Sequence, residues 1–178
     1  MKKVVLAYSG GLDTTFCALH LSKDLGYEVH AVLINTGGFS AQELADIENR
    51  ANSLGIASFK VLDVTSAYYQ EVSKYLVFGN VLKNQTYPLS VSAERILQAK
   101  TLAEYAKNIG AKCVAHGSTG AGNDQVRFDM IFQTIVPDIE IITPIRDLKL
   151  SREQEITYLK EHGVVMNFEK AAYSINKG

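Results

Sequence analysis

An apolar run, Val4-Val5-Leu6, leads straight into Ala7-Tyr8-Ser9-Gly10-Gly11-Leu12-Asp13-Thr14-Thr15, after which apolar residues recur as Leu12, Phe16 and Leu19. The change from a continuous run to helical spacing predicts a buried strand, a tight glycine turn and a helix start. Gly10 and Gly11 let the backbone bend and approach a ligand with no Cβ in the way. Ser9, Thr14 and Thr15 add hydroxyl donors. The first N–H groups of the helix have no intrahelical partner, and its dipole favours an anion there. The expected chemistry is a phosphate cradle. A Ser-Gly-Gly turn alone is often just a turn; the strand before it, the helix after it and Asp13 add the ligand reading.

The same alternation continues. We read strands over Val4–Tyr8, Val29–Ile34, Phe59–Leu62, Lys112–Ala115 and Glu140–Ile142. The second of these is a near-continuous apolar run of the kind buried on both faces of a parallel sheet. Helices are predicted from Thr14 to about Leu25, from the capping box Ser40-Ala41-Gln42-Glu43 to Gly55, and from Ser66 to about Leu76. Others open at Ser92, at Gln125 and at the capping box Ser151-Arg152-Glu153-Gln154. Residues 77–89 and 144–149 read as loops, and 164–178 have no clear period. Short links between strands and helices imply right-handed βαβ units. The expected fold is therefore α/β, a parallel sheet with helices on both faces. Such sheets bind ligands at the carboxyl ends of their strands, where the loop at Ser9 to Asp13 falls.

A chain of 178 residues holds one domain with a substantial core. The net charge of −1 gives no global attraction to nucleic acid or to an acidic membrane. Cys17 and Cys113 are far apart and form no C-x-x-C, which argues against a disulfide scaffold. No signal peptide or membrane span is readable, so the expectation is a soluble cytoplasmic protein.

Two further patches are dense in polar groups. In His116-Gly117-Ser118-Thr119-Gly120-Ala121-Gly122-Asn123-Asp124-Gln125-Val126-Arg127-Phe128, Arg127 is suited to clamp a carboxylate and Asp124 to accept from an ammonium. The alternative is a surface loop whose Asp124 caps the next helix. In Tyr87-Pro88-Leu89-Ser90-Val91-Ser92-Ala93-Glu94-Arg95, Ser92 reads as an N-cap, with or without a ligand role. An Arg in a first helical turn needs an acidic partner, from protein or ligand. The histidines 20, 30, 116 and 162 lack metal-ligand spacing, so no metal cluster is expected. His20 and His162 read as solvated helix positions. The nine tyrosines read as core and rim residues.

Neither the P-loop pattern nor the G-x-G-x-x-G fingerprint occurs. The first loop instead resembles the S-G-G-x-D-[ST] signature of the PP-loop ATP pyrophosphatases. All three patches, in this order, are similar to the argininosuccinate synthetase family, as are Pro144-Ile145-Arg146 and Tyr173-Ser174-Ile175. The resemblance implies a Rossmann-like, adenine nucleotide alpha hydrolase-like fold. It divides the chain into residues 1–165, a PP-loop ATP-binding domain, and residues 166–178, the start of a connection to a missing synthetase domain.

The implied reaction joins citrulline to aspartate through a citrullyl-adenylate, releasing AMP and pyrophosphate. The implied ATP contacts are Ala7, Tyr8, Ser9, Gly10, Gly11, Leu12, Asp13, Thr14, Thr15, Ile34 and Gly117. Citrulline would meet Tyr87, Ser92, Arg95, Asn123, Arg127 and Ser174, and aspartate would meet Thr119, Asn123 and Asp124. Asp13, Asp124 and Arg127 would carry the catalysis, with Mg²⁺ arriving on ATP beside Asp13. The full-length protein would be a homotetramer without nucleic-acid or membrane partners. Val91, Ala121, Ile34, Glu94 and Ile96 depart from the residues usual in the family, which suggests a divergent branch. Competing readings are a tRNA-thiolating or amidating PP-loop enzyme, or a non-catalytic nucleotide-binding module. A thiolating enzyme would want catalytic cysteines and a basic tRNA face, which the sequence does not show, and a non-catalytic module has no need of the Asn123, Asp124 and Arg127 set.

Overall fold

A computed structural model describes residues 1–168, the side chains of Lys83, Tyr87 and Pro88 excepted. The chain alternates β1 (Lys3–Ala7), α1 (Leu12–Lys23), β2 (Glu28–Asn35), α2 (Ala41–Ser53) and β3 (Ser58–Asp63). An arm follows, made of α3 (Thr65–Tyr68), a π-helical turn over Tyr69–Ser73, α4 (Lys74–Phe78), and a short antiparallel hairpin of β4 (Leu82–Lys83) and β5 (Tyr87–Pro88). The alternation resumes with α5 (Ser90–Asn108), β6 (Cys113–Ala115), α6 (Asp124–Ile135), β7 (Glu140–Ile142), α7 (Pro144–Leu148) and α8 (Arg152–Glu161).

The main sheet has five parallel strands in the order β3-β2-β1-β6-β7. Its central strand is β1, where Val4 pairs with Val29 on one side and Cys113 on the other. Val4, Val5 and Leu6 are all fully buried, as a strand covered on both faces requires. One face packs Phe16, Cys17 and Leu21 of α1 and Ile47 of α2 against the sheet, with Leu159 of α8 behind them. The other packs Leu102 and Ala106 of α5 and Phe128 and Phe132 of α6. Each large apolar side chain so buried is worth about 1.5–3 kcal/mol relative to exposure.

The chain first steps outward from β1 to β3, then returns to lay β6 on the other side of β1. The loops leaving β1 and β6 therefore diverge at the carboxyl end of the sheet and open a crevice there. That places the two glycine-rich stretches side by side.

Several local expectations are corrected. Helix α1 begins at Leu12, two residues earlier than predicted, with Gly11 as its N-cap. Residues 77–89 are not a plain loop, since they hold the end of α4 and the hairpin. Ser92 is not an N-cap: α5 starts at Ser90 after Leu89, so Glu94 and Arg95 fall beyond its first turn. Asp124 does not cap α6 either; Asn123 holds that position and Asp124 is the first helical residue. Residues 144–148 are helical, Pro144 taking the first position, where its missing N–H costs nothing.

Candidate functional site

The turn after β1 is held by its own side chains. Thr14 Oγ1 accepts from the Ser9 amide at 3.3 Å and lies 3.3 Å from Ser9 Oγ. Ser9 Oγ in turn accepts from the Gly11 amide at 3.4 Å. Gly10 has φ +73°, and an added Cβ would sit 2.8 Å from Ile47 Cγ1, so the turn presses directly on α2. Arg50, from the last turn of α2, donates to the Gly10 carbonyl. Gly11 gives α1 no side-chain cap. The helix thus starts with its first N–H groups turned to the crevice, beside hydroxyls and a guanidinium.

Asp13 stands in the first turn of α1 and faces Glu155 of α8. Glu155 is only 2% exposed. Its burial, and then the neighbouring Asp13 carboxylate, push its pKa up from 4.5 to about 8, against the pull of Arg152. The same two acids, after burial itself, push the Cys17 thiol far above its usual value, so Cys17 is an inert core residue.

Because the Glu155 pKa is raised on folding, its contribution is fully present below the unfolded value and is lost as pH climbs toward the folded one. Glu155→Gln removes that titration. Its melting temperature should gain on the parent between pH of about 5 and about 8, by roughly 3–8 °C for an effect near 2 kcal/mol. Parallel pH–stability curves for the two proteins would contradict the burial of this carboxyl against Asp13.

The loop after β6 is anchored at its start by His116, 1% exposed. His116 Nε2 lies 2.9 Å from Asp129 Oδ1, while Nδ1 accepts from the Ser118 amide at 3.2 Å. These partners select the neutral tautomer with its proton on Nε2. Burial lowers the His116 pKa and outweighs the Asp129 carboxylate. Asp129 is desolvated in part, but bonds from His116 and Arg146 still hold it below the usual carboxylate range. Arg146 also bonds Gln125, whose amide donates to the Gly120 carbonyl at 2.6 Å and so straps the loop. Gly117 packs on α1: a Cβ there would lie 3.3 Å from the Asp13 backbone and 3.4 Å from Thr14 Cγ2.

Between α5 and α6 runs a charged network. Arg127 donates to Asp124 Oδ1 at 2.6 Å and to Ser92 Oγ at 2.9 Å. Arg95 donates to Asp124 Oδ2 at 3.4 Å and to Gln98 Oε1 at 2.7 Å. One carboxylate therefore sits between two guanidiniums, and the acidic partner expected for Arg95 comes from the protein itself. These pairs are half-buried, and each guanidinium donates to a different oxygen of Asp124, a charge-assisted contact on either side.

A cavity of about 620 Å³ joins all three regions. Its wall includes Ala7, Tyr8, Ser9, Gly10, Gly11, Leu12, Asp13, Thr14, Ile34, Arg95, Gly117, Thr119 and Asp124 from the sequence-predicted set. Thr15 is instead fully buried, its hydroxyl 3.5 Å from that of Tyr8. Ser92 and Arg127 reach the site through Asp124, whereas Asn123 is exposed at the α6 start. Tyr87 lies in β5. Ser174, like Tyr173 and Ile175, is outside the described residues. The cavity wall adds Arg50, Glu94, Gln98 and Arg152, which sequence reasoning did not single out as site residues. Arg50 and Arg152 gave no signal beyond helical charge; Glu94 was visible only as an acid beside Arg95.

Comparison with known proteins fits this geometry. Residues 3–165 match the family described as the arginosuccinate synthase N-terminal HUP domain. The chain is 39% identical to an argininosuccinate synthase of Pyrobaculum aerophilum over 174 residues, 98% of this chain and 43% of that protein. Identity is also 39% to the argininosuccinate synthase of Methanocaldococcus jannaschii, over 97% of this chain and 43% of that one. The chain thus spans less than half the length of these relatives. Among solved structures, a predicted subunit of tRNA methyltransferase from Methanocaldococcus jannaschii superposes with a TM-score of 0.62 at 20% identity. That match covers 90% of this chain and 76% of the other, and it bears on the fold alone. By its sequence and its five-stranded architecture, the chain belongs to the argininosuccinate synthase family, within the N-terminal HUP domain.

Proposed function

We propose that this chain is the ATP-binding part of an argininosuccinate synthase, a longer protein that joins citrulline to aspartate while splitting ATP into AMP and pyrophosphate. The observation that carries the reading is the meeting of the Ser9–Thr14 turn and the Gly117–Asp124 loop across one cavity. In this reading the α1 amides and the hydroxyls of Ser9 and Thr14 take up the charge of the departing pyrophosphate, and Thr15 supports them from the core. Ala7, Tyr8, Leu12, Ile34 and Gly117 pack on the rest of the nucleotide. Tyr87, Ser92, Arg95, Asn123, Arg127 and Ser174 hold citrulline, and Thr119, Asn123 and Asp124 hold aspartate.

The chemistry calls for positioning and charge neutralisation rather than a protein nucleophile. The Asp124 carboxylate, already shared between Arg95 and Arg127, suits the recognition of an amino-acid zwitterion. Asp13, a carboxylate in the cavity wall at the opening turn of α1, suits Mg²⁺, a hard cation that keeps several waters and takes phosphate oxygens. When bound, Mg²⁺ would supply charge neutralisation. Residues 1–165 are the nucleotide-binding domain in this proposal, and 166–178 lead toward the rest of a cytoplasmic homotetramer.

Two measurements check it. The 178-residue chain should bind ATP weakly and turn over little. The full-length protein should exchange labelled pyrophosphate into ATP only when citrulline is present. Exchange that ignores citrulline, or that needs an RNA instead, would overturn the assignment.

A further inference from the structure

Arg50 stands in the last turn of α2 and forms part of the cavity wall, together with Ser9, Gly10 and Gly11. It is half-buried, and its guanidinium donates to the Gly10 carbonyl. A basic residue in a last turn often serves only the dipole of its own helix. Here the side chain reaches a different loop, the turn between β1 and α1.

A guanidinium carries five N–H donors in a planar fork and keeps its charge in proteins. The Gly10 carbonyl, a neutral acceptor, leaves that charge uncompensated. Among the described residues Arg50 makes no other hydrogen bond and no ion pair. The acids nearest to it on α2 are engaged elsewhere. Asp46, one turn earlier and in the same wall, accepts from Gln42 at 2.9 Å, and Glu43 belongs to the Ser40 capping box. The other arginines of the wall have acids of their own, Arg95 with Asp124 and Arg152 with Glu155. A half-buried charge without a counter-charge is costly until an anion arrives. The planar fork suits two phosphate oxygens at once.

We propose that Arg50 is a phosphate-binding residue, whose guanidinium, braced on the Gly10 carbonyl, contacts the terminal phosphates of a nucleoside triphosphate. The inference rests on the nucleotide-binding reading above and adds to it a cation from α2. The start of α1, the hydroxyls of Ser9 and Thr14 and the Arg50 fork then address one anion from two helices.

The test is calorimetric titration of the 178-residue chain, Arg50→Gln and Arg50→Lys with ATP, AMP and tripolyphosphate, each with Mg²⁺. Circular dichroism and melting without ligand report the fold separately. Arg50→Gln keeps an N–H donor but no charge, and Arg50→Lys keeps the charge. Arg50→Gln should bind ATP and tripolyphosphate about 10- to 100-fold more weakly than the parent, the range set by one hydrogen bond to a charged group. AMP lacks the terminal phosphates and should bind within twofold of the parent. Arg50→Lys should recover most of the loss. On the parent itself, tripolyphosphate should slow phenylglyoxal modification of Arg50, read by peptide mass spectrometry, and AMP should not.

A natively folded Arg50→Gln that binds tripolyphosphate within twofold of the parent would overturn the proposal. So would an Arg50→Lys as weak as Arg50→Gln, or an equal loss of AMP binding, since either would leave Arg50 as a brace for the turn alone. Where the variants lose their native spectrum, the protection experiment decides: equal modification of Arg50 with and without tripolyphosphate overturns the proposal. A parent that binds neither ATP nor tripolyphosphate would overturn the nucleotide-binding reading as well. Binding of both by the parent, unmoved in Arg50→Gln, would overturn only the role of Arg50.

Discussion

Asp13→Ala, introduced into the full-length protein, should abolish pyrophosphate release, with a loss of at least about 100-fold expected when a preorganised charge-stabilising group is removed. Asp13 stands at the opening turn of α1, against Gly117 and in the wall of the cavity. Two loops thus converge on one carboxylate. The expected signature separates chemistry from folding. Asp13 adds to the raised Glu155 pKa, so removing it relieves Glu155 and should leave the variant as stable as the parent near neutral pH, or more so. Near-parental pyrophosphate release by a folded Asp13→Ala protein would remove this turn from the reaction.

Gly10→Val should act in the opposite way, through structure first. At φ +73° a β-branched residue is strained, by about 1–2 kcal/mol. Its Cβ would lie 2.8 Å from Ile47 Cγ1 and 3.1 Å from Cγ2, an overpacking cost of about 1–3 kcal/mol. Together these should lower the melting temperature by roughly 5–15 °C and abolish ATP binding, since the turn can no longer lie against α2. Adding Ile47→Ala should return part of the stability by clearing the clash, while the backbone strain remains. A Gly10→Val protein with parental melting and ATP affinity would show that the turn is not held in this conformation.

The alternating strands and helices were readable because their signals are local. A continuous apolar run and a 3.6-residue spacing differ within a few residues, and both capping boxes formed as their S-x-x-E and S-x-x-Q spacings required. The misreadings came where tertiary contacts compete with local ones. Ser92 has the chemistry of a cap, yet the hairpin delivers the chain into α5 earlier, with Leu89 at the cap position three residues before it, and Arg127 takes the hydroxyl. Asp124 likewise has the chemistry of a cap but is drawn between Arg95 and Arg127. The helix over 144–148 was missed although proline at a first helical position was there to be used.

Residue order alone determined that a strand, a glycine turn and a helix would present free amides, hydroxyls and Asp13 together, because backbone geometry over a dozen residues follows from steric and hydrogen-bonding rules within that span. Only the tertiary structure decided what faces them. Glu155 is 142 residues from Asp13 in sequence (155 less 13), and Thr36 is 58 from Glu94. Such pairings depend on how the β1–β6 junction and the helices on either side bring distant side chains into the same low-dielectric space, where an unmatched charge or a missing partner carries a cost that no local pattern records.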